Sequence, residues 1–263
     1  MTHLHQRVIP VLLLDGNGLY KTERFRAPRY LGDPINTVRI FNEKGCDELM
    51  ILDITATLEQ RPPAFDLLAE IASECFMPIC FGGGVRTVQD CERLFGIGVE
   101  KVAINTAALT DPNLIREAAK EFGSQSVMVV ADYRRTLFGQ RIVYSRRGRV
   151  RTKWQVVDYA RHVEQQGAGE LVVQSIERDG TGKGFDLSTI RQVAEAVTIP
   201  VVGCGGAGSV EDLVAVLNIA HAAAAGSMFV FHGPHRAVLI SYPNYKKMRG
   251  LLKNGRTPTV VSK

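Results

Sequence analysis

The sequence predicts an α/β fold in which eight βα units close into a barrel, and three observations carry that expectation. Short apolar runs alternate with amphipathic helical patterns along the chain, as in strands joined by crossover helices in a parallel sheet. Eight such runs can be counted in 263 residues, close to the roughly 250 that such a barrel uses. The third observation is an internal repeat. A shift of 122 residues lays GCDEL (Gly45–Leu49) on GAGEL (Gly167–Leu171), Pro78 on Pro200, Gly83 and Gly84 on Gly205 and Gly206, Val88 on Val210, and Asp90 on Asp212. One offset that holds over separate stretches describes two four-stranded half-barrels. An open, doubly wound sheet is the competing arrangement of the same units.

The first strand, Val8–Leu14, is a continuous apolar run that stops at the turn signal Asp15-Gly16. Leu49–Asp53 follows GCDEL, and Pro78–Phe81 runs into the glycines of CFGGGVR. Lys101–Ile104 leads into INTAA, and Ser126–Asp132 closes the first five with VMVVAD. Leu171–Ser175 follows GAGEL, Pro200–Cys204 leads into GGAGS, and Ala222–Gly226 precedes AGSM. Between them, PAFDLLAEIASE and STIRQVAEAV have the spacing of amphipathic helices. With no linker or low-complexity run in sight, residues 1–263 read as one domain.

Several function classes recede on composition. The first residues, MTHLHQRVIP, lack the apolar run of a secretory signal. No segment has the ~18 apolar residues of a membrane helix, so no membrane partner is expected. Five cysteines, an odd set without a C-x-x-C pair, suit free thiols in a reducing cytoplasm. Neither a metal nor a cofactor is expected. The net charge of +5 is local: Arg134–Lys153 holds seven Arg, one Lys and no acid, so the remainder of the chain is acidic. That segment has little of the aromatic interleaving of a single-strand binder. It reads as a solvated hairpin attracting a phosphorylated small molecule rather than nucleic acid.

Two Gly-rich stretches, CFGGGVR (Cys80–Arg86) and GCGGAGS (Gly203–Ser209), each follow a strand. Glycines let backbone N–H groups close around an anion, and a helix N-terminus adds favourable dipole. INTAA (Ile104–Ala108) and AGSM (Ala225–Met228) supply small polar residues at matched positions. Each half-barrel therefore offers one phosphate site. Asp132 sits at the C-terminal end of the fifth strand, where barrel enzymes carry their chemistry, and suits a general acid or base. Asp53 and Asp179 end or open neighbouring loops and read first as structural. At the opposite strand ends stand Arg7, Glu48, Lys101 and Glu170. From spacing alone, this set reads as salt bridges holding the barrel shut.

Across nearly the whole chain, DELMILDITAT, FGGGVR, KVAINTAAL, GAGEL, SIERDGTGKGFD and GGAGS resemble the cyclase subunit family of imidazole glycerol phosphate synthase. That resemblance implies a TIM barrel with a glutaminase subunit docked on its lower face. It further implies ammonia passing a charged gate and the barrel interior to a bisphosphorylated substrate above. The gate matches Arg7, Glu48, Lys101 and Glu170, with Glu100 beside it, and phosphate-binding positions match Gly84, Asn105 and Thr106 in one half. In the other half they match Gly180, Gly206, Gly226 and Ser227, beside Asp179. Lys21 matches a loop lysine, and Asp132 one of two catalytic aspartates. As a gate, the ring is expected to tolerate Lys101→Ala with altered coupling and little loss of stability.

The other aspartate is missing. The family's first strand resembles IPCLDV, and Leu13 stands in the place of its acid. A leucine side chain moves no proton, and Asp15 would lie roughly 6.5 Å further along the strand, at ~3.3 Å per residue. The first loop is rich in Arg, with Arg24, Arg26 and Arg29. LLLDGNGLYKTERF, together with the missing aspartate, resembles a paralogue branch associated with acetamidino modification of nucleotide-activated sugars. In that branch a glutaminase and an ATP-dependent amidotransferase take part in surface-polysaccharide (LPS O-antigen) synthesis. The competing readings are a working cyclase-lyase of histidine biosynthesis, a polyanion-binding module built on the Arg-rich hairpin, and a sugar-phosphate isomerase.

Overall fold

The structure, a computed structural model, describes residues 6–243. From the N-terminus come β1 (Arg7–Asp15), β2 (Gly18–Glu23), β3 (Arg26–Gly32), β4 (Leu49–Asp53), β5 (Ile79–Gly82) and β6 (Lys101–Ile104). There follow β7 (Val127–Arg135), β8 (Arg141–Ser145), β9 (Val150–Gln155), β10 (Glu170–Ser175), β11 (Val201–Cys204) and β12 (Ala222–Ala225). Parallel pairing runs from β1 through β4, β5, β6, β7, β10, β11 and β12 and returns to β1. The barrel is closed, with helices between its strands, and no barrel strand is left with an unpaired edge.

All eight runs anticipated from the sequence are barrel strands, and the differences at their ends have local causes. The strands expected to begin at Pro78 and Pro200 begin one residue later, at Ile79 and Val201, because proline brings no N–H to the ladder. β1 runs on to Asp15 through its antiparallel pairing with β2. β7 likewise passes Asp132 to Arg135 by pairing with β8. The β2–β3 hairpin, inserted between β1 and the first helix (Pro34–Lys44), has no counterpart in the sequence reading.

Strand periodicity decides which side chains meet. On β1, Val8, Leu12 and Leu14 join the shell packed against the helices, whereas Ile9, Val11 and Leu13 join the cluster filling the lumen. All five cysteines are free, four of them buried. Among the described residues, no helix is long and apolar enough to cross a membrane.

The repeat survives in atomic detail. Thr87 and Ser209, 122 positions apart, cap helices Val88–Gly96 and Val210–Leu217 with reciprocal capping boxes. Asp90 Oδ2 accepts from the N–H groups of Arg86 (2.9 Å) and Thr87 (3.0 Å). Asp212 Oδ2 accepts from Gly208 (2.9 Å) and Ser209 (3.1 Å) in the same manner. A Cβ on Gly83 would lie 2.3 Å from the carbonyl oxygen of Asp53, and one on Gly205 would lie 2.7 Å from that of Ser175. Both glycines have positive φ, +112° and +89°, so close approach and conformation exclude a side chain at both turns. These turns set the two Gly-rich loops against the strand ends below them.

Because the caps are equivalent, Thr87→Ala and Ser209→Ala are each expected to cost about 1 kcal/mol of stability. Urea unfolding reads this as two similar drops in midpoint. A drop for one variant alone would mean that the half-barrels do not share the device.

Candidate functional site

The C-terminal strand ends open into one solvent-connected cleft. Its walls hold every residue expected at the upper face: Asp132 and Lys21; Gly84, Asn105 and Thr106; and Asp179, Gly180, Gly206, Gly226 and Ser227. Glycine placement is steric as well as conformational. A Cβ on Gly180 would meet the Thr22 carbonyl at 2.6 Å, and one on Gly226 would meet Lys21 Nζ at 3.1 Å. The second half-barrel's loops thus lie directly against the β2 strand.

Lys21 Nζ and Asp179 Oδ1 form a buried ion pair at 3.0 Å, and the Arg24 N–H donates to the Asp179 carbonyl at 2.9 Å. Together these contacts hold the β2–β3 hairpin down over the cleft. Asp53 serves its own loop: Oδ1 accepts from the N–H groups of Thr55 (3.0 Å) and Ala56 (2.9 Å), while Arg61 pairs with Oδ2 at 2.7 Å.

Asp132 is nearly enclosed, at 8% exposure. Its Oδ2 accepts from Asn105 Nδ2 at 3.2 Å, and Asn105 also donates to the Val130 carbonyl at 2.8 Å. Burial, with the negative charge of Asp179 adding to it, pushes the Asp132 carboxyl up to about 8. Oδ1 of Asp132 and Oγ of Ser227 are buried with no hydrogen-bond partner among the described residues. Buried polar atoms are rarely left so, and both residues face the cleft, where a polar ligand would satisfy them.

Leu13 lines the cleft as well. Asp15 is absent from its walls and accepts instead from Thr55 Oγ1 at 3.1 Å. The acid is therefore not relocated to Asp15. Phe25 and Gln174 are among the cleft residues that the sequence reading gave no role, while Arg147 reaches the cleft from the Arg-rich hairpin. Gln174 pairs in register with Asp132, a relation visible only once β7 and β10 are known to be neighbours.

At the other end, Arg7, Glu48, Lys101 and Glu170 form a closed ring. Arg7 bonds both carboxylates through separate guanidinium nitrogens. Lys101 Nζ lies 3.0 Å from Glu48 Oε1 and 2.8 Å from Glu170 Oε2. Burial alone would lower both basic pKa values, but the attraction of Glu170 and Glu48 outweighs it and raises them. Glu48 and Glu170 are only 2% and 3% exposed. These are not surface salt bridges. Such enclosure also revises the expectation for Lys101→Ala, which would leave two desolvated carboxylates to Arg7 alone.

Two residues further along their strands, Ile9, Met50, Ala103 and Val172 form an apolar layer behind the ring. Exposed Glu100 precedes Lys101 at the rim. Among the described residues, no group of His, Cys, Asp and Glu is placed to hold a metal ion.

The family described as histidine biosynthesis protein matches residues 7–235. A Pseudomonas aeruginosa protein, provisionally named imidazole glycerol phosphate synthase subunit hisF2, is 51% identical over 93% of this chain and 98% of its own length. Its Vibrio vulnificus relative, provisionally named subunit hisF3, is 40% identical over 95% of this chain and 97% of its own. The imidazole glycerol phosphate synthase subunit HisF of Alkaliphilus metalliredigens is 40% identical over 86% and 90%.

A carboxyl whose pKa is higher folded than unfolded holds a proton that unfolding releases, so stability falls as pH rises from about 4 toward about 8. Asp132→Asn removes that contribution. Urea unfolding at pH 5, 7 and 9 should show the variant gaining on the parent with rising pH, by an amount on the order of a few kcal/mol. A constant difference between the two across this range would mean that Asp132 is ionised throughout.

Proposed function

The chain belongs to the histidine biosynthesis protein family, and on that premise we propose that it is the barrel subunit of a cytoplasmic, glutamine-dependent ammonia-transfer complex. A glutaminase subunit docks on the lower face around Arg7, Glu48, Lys101, Glu170 and Glu100. Ammonia released there crosses the ring and the apolar lumen toward the upper cleft. The product is consumed, with an ATP-dependent amidotransferase, in forming an acetamidino sugar for surface polysaccharide.

One observation carries this reading. The charged ring is complete, whereas Leu13 occupies the top of the inward-facing row on β1. Docking and conduction need the ring; ring-closing chemistry with paired carboxylates needs an acid at Leu13. Asp132, protonated near neutral pH, still donates a proton or hydrogen bond, while Leu13 does neither. The cleft then binds a phosphorylated ligand through Lys21, the Gly-rich loops, Asn105, Thr106 and Ser227.

A second reading, a working cyclase subunit of histidine biosynthesis, draws support from the retained upper-face residues and the names of the relatives. Ammonium-dependent turnover of the ribulosyl aminoimidazole carboxamide substrate separates the two. The expected result is no turnover by the natural chain and measurable turnover by Leu13→Asp. Clear turnover by the natural chain would establish the second reading instead.

The ring is tested separately. Lys101→Ala should lower stability by about 3 kcal/mol. At a temperature where circular dichroism shows an intact barrel, it should also lower stimulation of glutamine hydrolysis by the cognate glutaminase at least about tenfold. Full stimulation by the folded variant would reduce the ring to a structural device.

A further inference from the structure

Beside the main cleft lies a second one, open to solvent. Arg24 and Arg26 reach it from the β2–β3 hairpin, and Arg134, Arg147 and Arg149 from the β7–β8–β9 hairpin. No carboxylate among the described residues lines it. Among the described residues, none of the five arginines forms an ion pair. The neighbouring acids have other partners: Glu23 pairs with Arg236 at 3.3 Å, Glu177 accepts from the Arg135 N–H at 3.4 Å, and Asp15 accepts from Thr55 Oγ1 at 3.1 Å. Nε of Arg134 is buried with no hydrogen-bond partner among the described residues.

The backbone is costly here too. Arg24 and Phe25 in one turn, Ala27 just after it in β3, and Arg146 and Arg147 in the other turn have φ between +48° and +63°. Side-chain-bearing residues visit that region rarely, and clusters of them mark functional segments. Like charges brought together in this way repel. Burial and the charge of Arg149 pull the Arg147 pKa down, with Asp15 opposing weakly. An anion in the cleft would relieve both the repulsion and the unsatisfied donor.

We propose that this arginine cleft binds the diphosphate group of a small-molecule ligand. A phosphate monoester carries about −2 at most and leaves most of five guanidinium charges uncompensated. Two adjacent phosphoryl groups offer more charge and more oxygen pairs for planar guanidinium forks. A single nucleic-acid strand fits less well, since Phe25 is the one aromatic residue lining the cleft among the described residues and strand binders rely on successive stacking platforms. Phe25 and Arg147 line both clefts. A diphosphate seated here therefore directs the rest of its molecule toward the cleft that holds Asp132. The inference rests on the upper face being a ligand-binding face and stands apart from the ammonia-transfer reading.

Calorimetric titration of the intact protein at low ionic strength tests it, with inorganic pyrophosphate, inorganic phosphate and uridine diphosphate as probes. Pyrophosphate should bind at least about tenfold more tightly than phosphate. Arg26→Gln with Arg149→Gln, both exposed positions, should weaken pyrophosphate at least about tenfold and leave phosphate binding unchanged. Ser227→Asp in the main cleft should do the reverse. Uridine diphosphate binding more tightly than pyrophosphate would support the site with a nucleotide as its source. If Ser227→Asp leaves phosphate unaffected while the arginine variant still loses pyrophosphate, the arginine site stands and the phosphate-loop reading falls. Pyrophosphate affinity indifferent to the arginine changes would overturn the proposal. So would a single-stranded oligonucleotide that displaces pyrophosphate at lower concentration.

Discussion

A closed eight-stranded barrel has a lumen that its own side chains must fill, and the two-residue period of each strand determines which ones do so. Inward rows run from bottom to top: Arg7, Ile9, Val11, Leu13 on β1; Lys101 and Ala103 on β6, with Asn105 following; Glu170, Val172, Gln174 on β10. On β7 the row is Met128, Val130, Asp132. Each row begins or ends on a polar group and is apolar between. The charged ring, the apolar layer and the cleft are thus successive floors of one column. A one-residue slip of any strand would turn its whole row outward. This is why the lower ring and the upper acid remain in their places together although they never touch.

The two-fold repeat supplies the frame for that column, and its departures supply the individuality. Asp53 and Ser175, Gly83 and Gly205, and Thr87 and Ser209 occupy equivalent points and do equivalent backbone work. Asn105 and Ser227 are likewise related by the shift, yet Asn105 is bonded to Asp132 while Ser227 Oγ is unpartnered. The two antiparallel hairpins that rise from β1 and β7 are placed alike, each after the first strand of its half, and differ in sequence. They bring the arginines, the left-handed residues and the lysine that seals one hairpin to Asp179. Shared placement makes the barrel and its hairpins; the residues that differ make the two sides of the upper face unlike.

The barrel strands were legible because apolar runs and proline and glycine punctuation are local signals. The upper-face residues were legible through the same glycines together with a family resemblance. What escaped was relational. RAPRYLG has neither the alternation nor the apolar content of a core strand and is mostly exposed, so β3 exists only because β2 offers it an edge. Arg147 and Phe25 lie far apart in sequence and meet only when the two hairpins fold toward each other. The ring was visible as four charges at strand starts, but its burial was not. Spacing states where a side chain begins, whereas closure of the barrel determines how much water it loses.

Leu13 shows how far a single change in such a column reaches. A carboxylate there would stand across the cleft from Asp132, and its charge would act on that carboxyl as Asp179 does now. Leucine adds no charge and tightens the apolar wall, so desolvation dominates at Asp132 and its proton is retained near neutrality. The upper face keeps a group that can give a proton and lacks the partner that would take one. Three layers below, Arg7 on the same strand still closes the ring with Glu48 and Glu170. On the proposed function, docking at the lower face therefore does not depend on paired acid–base chemistry at the upper one.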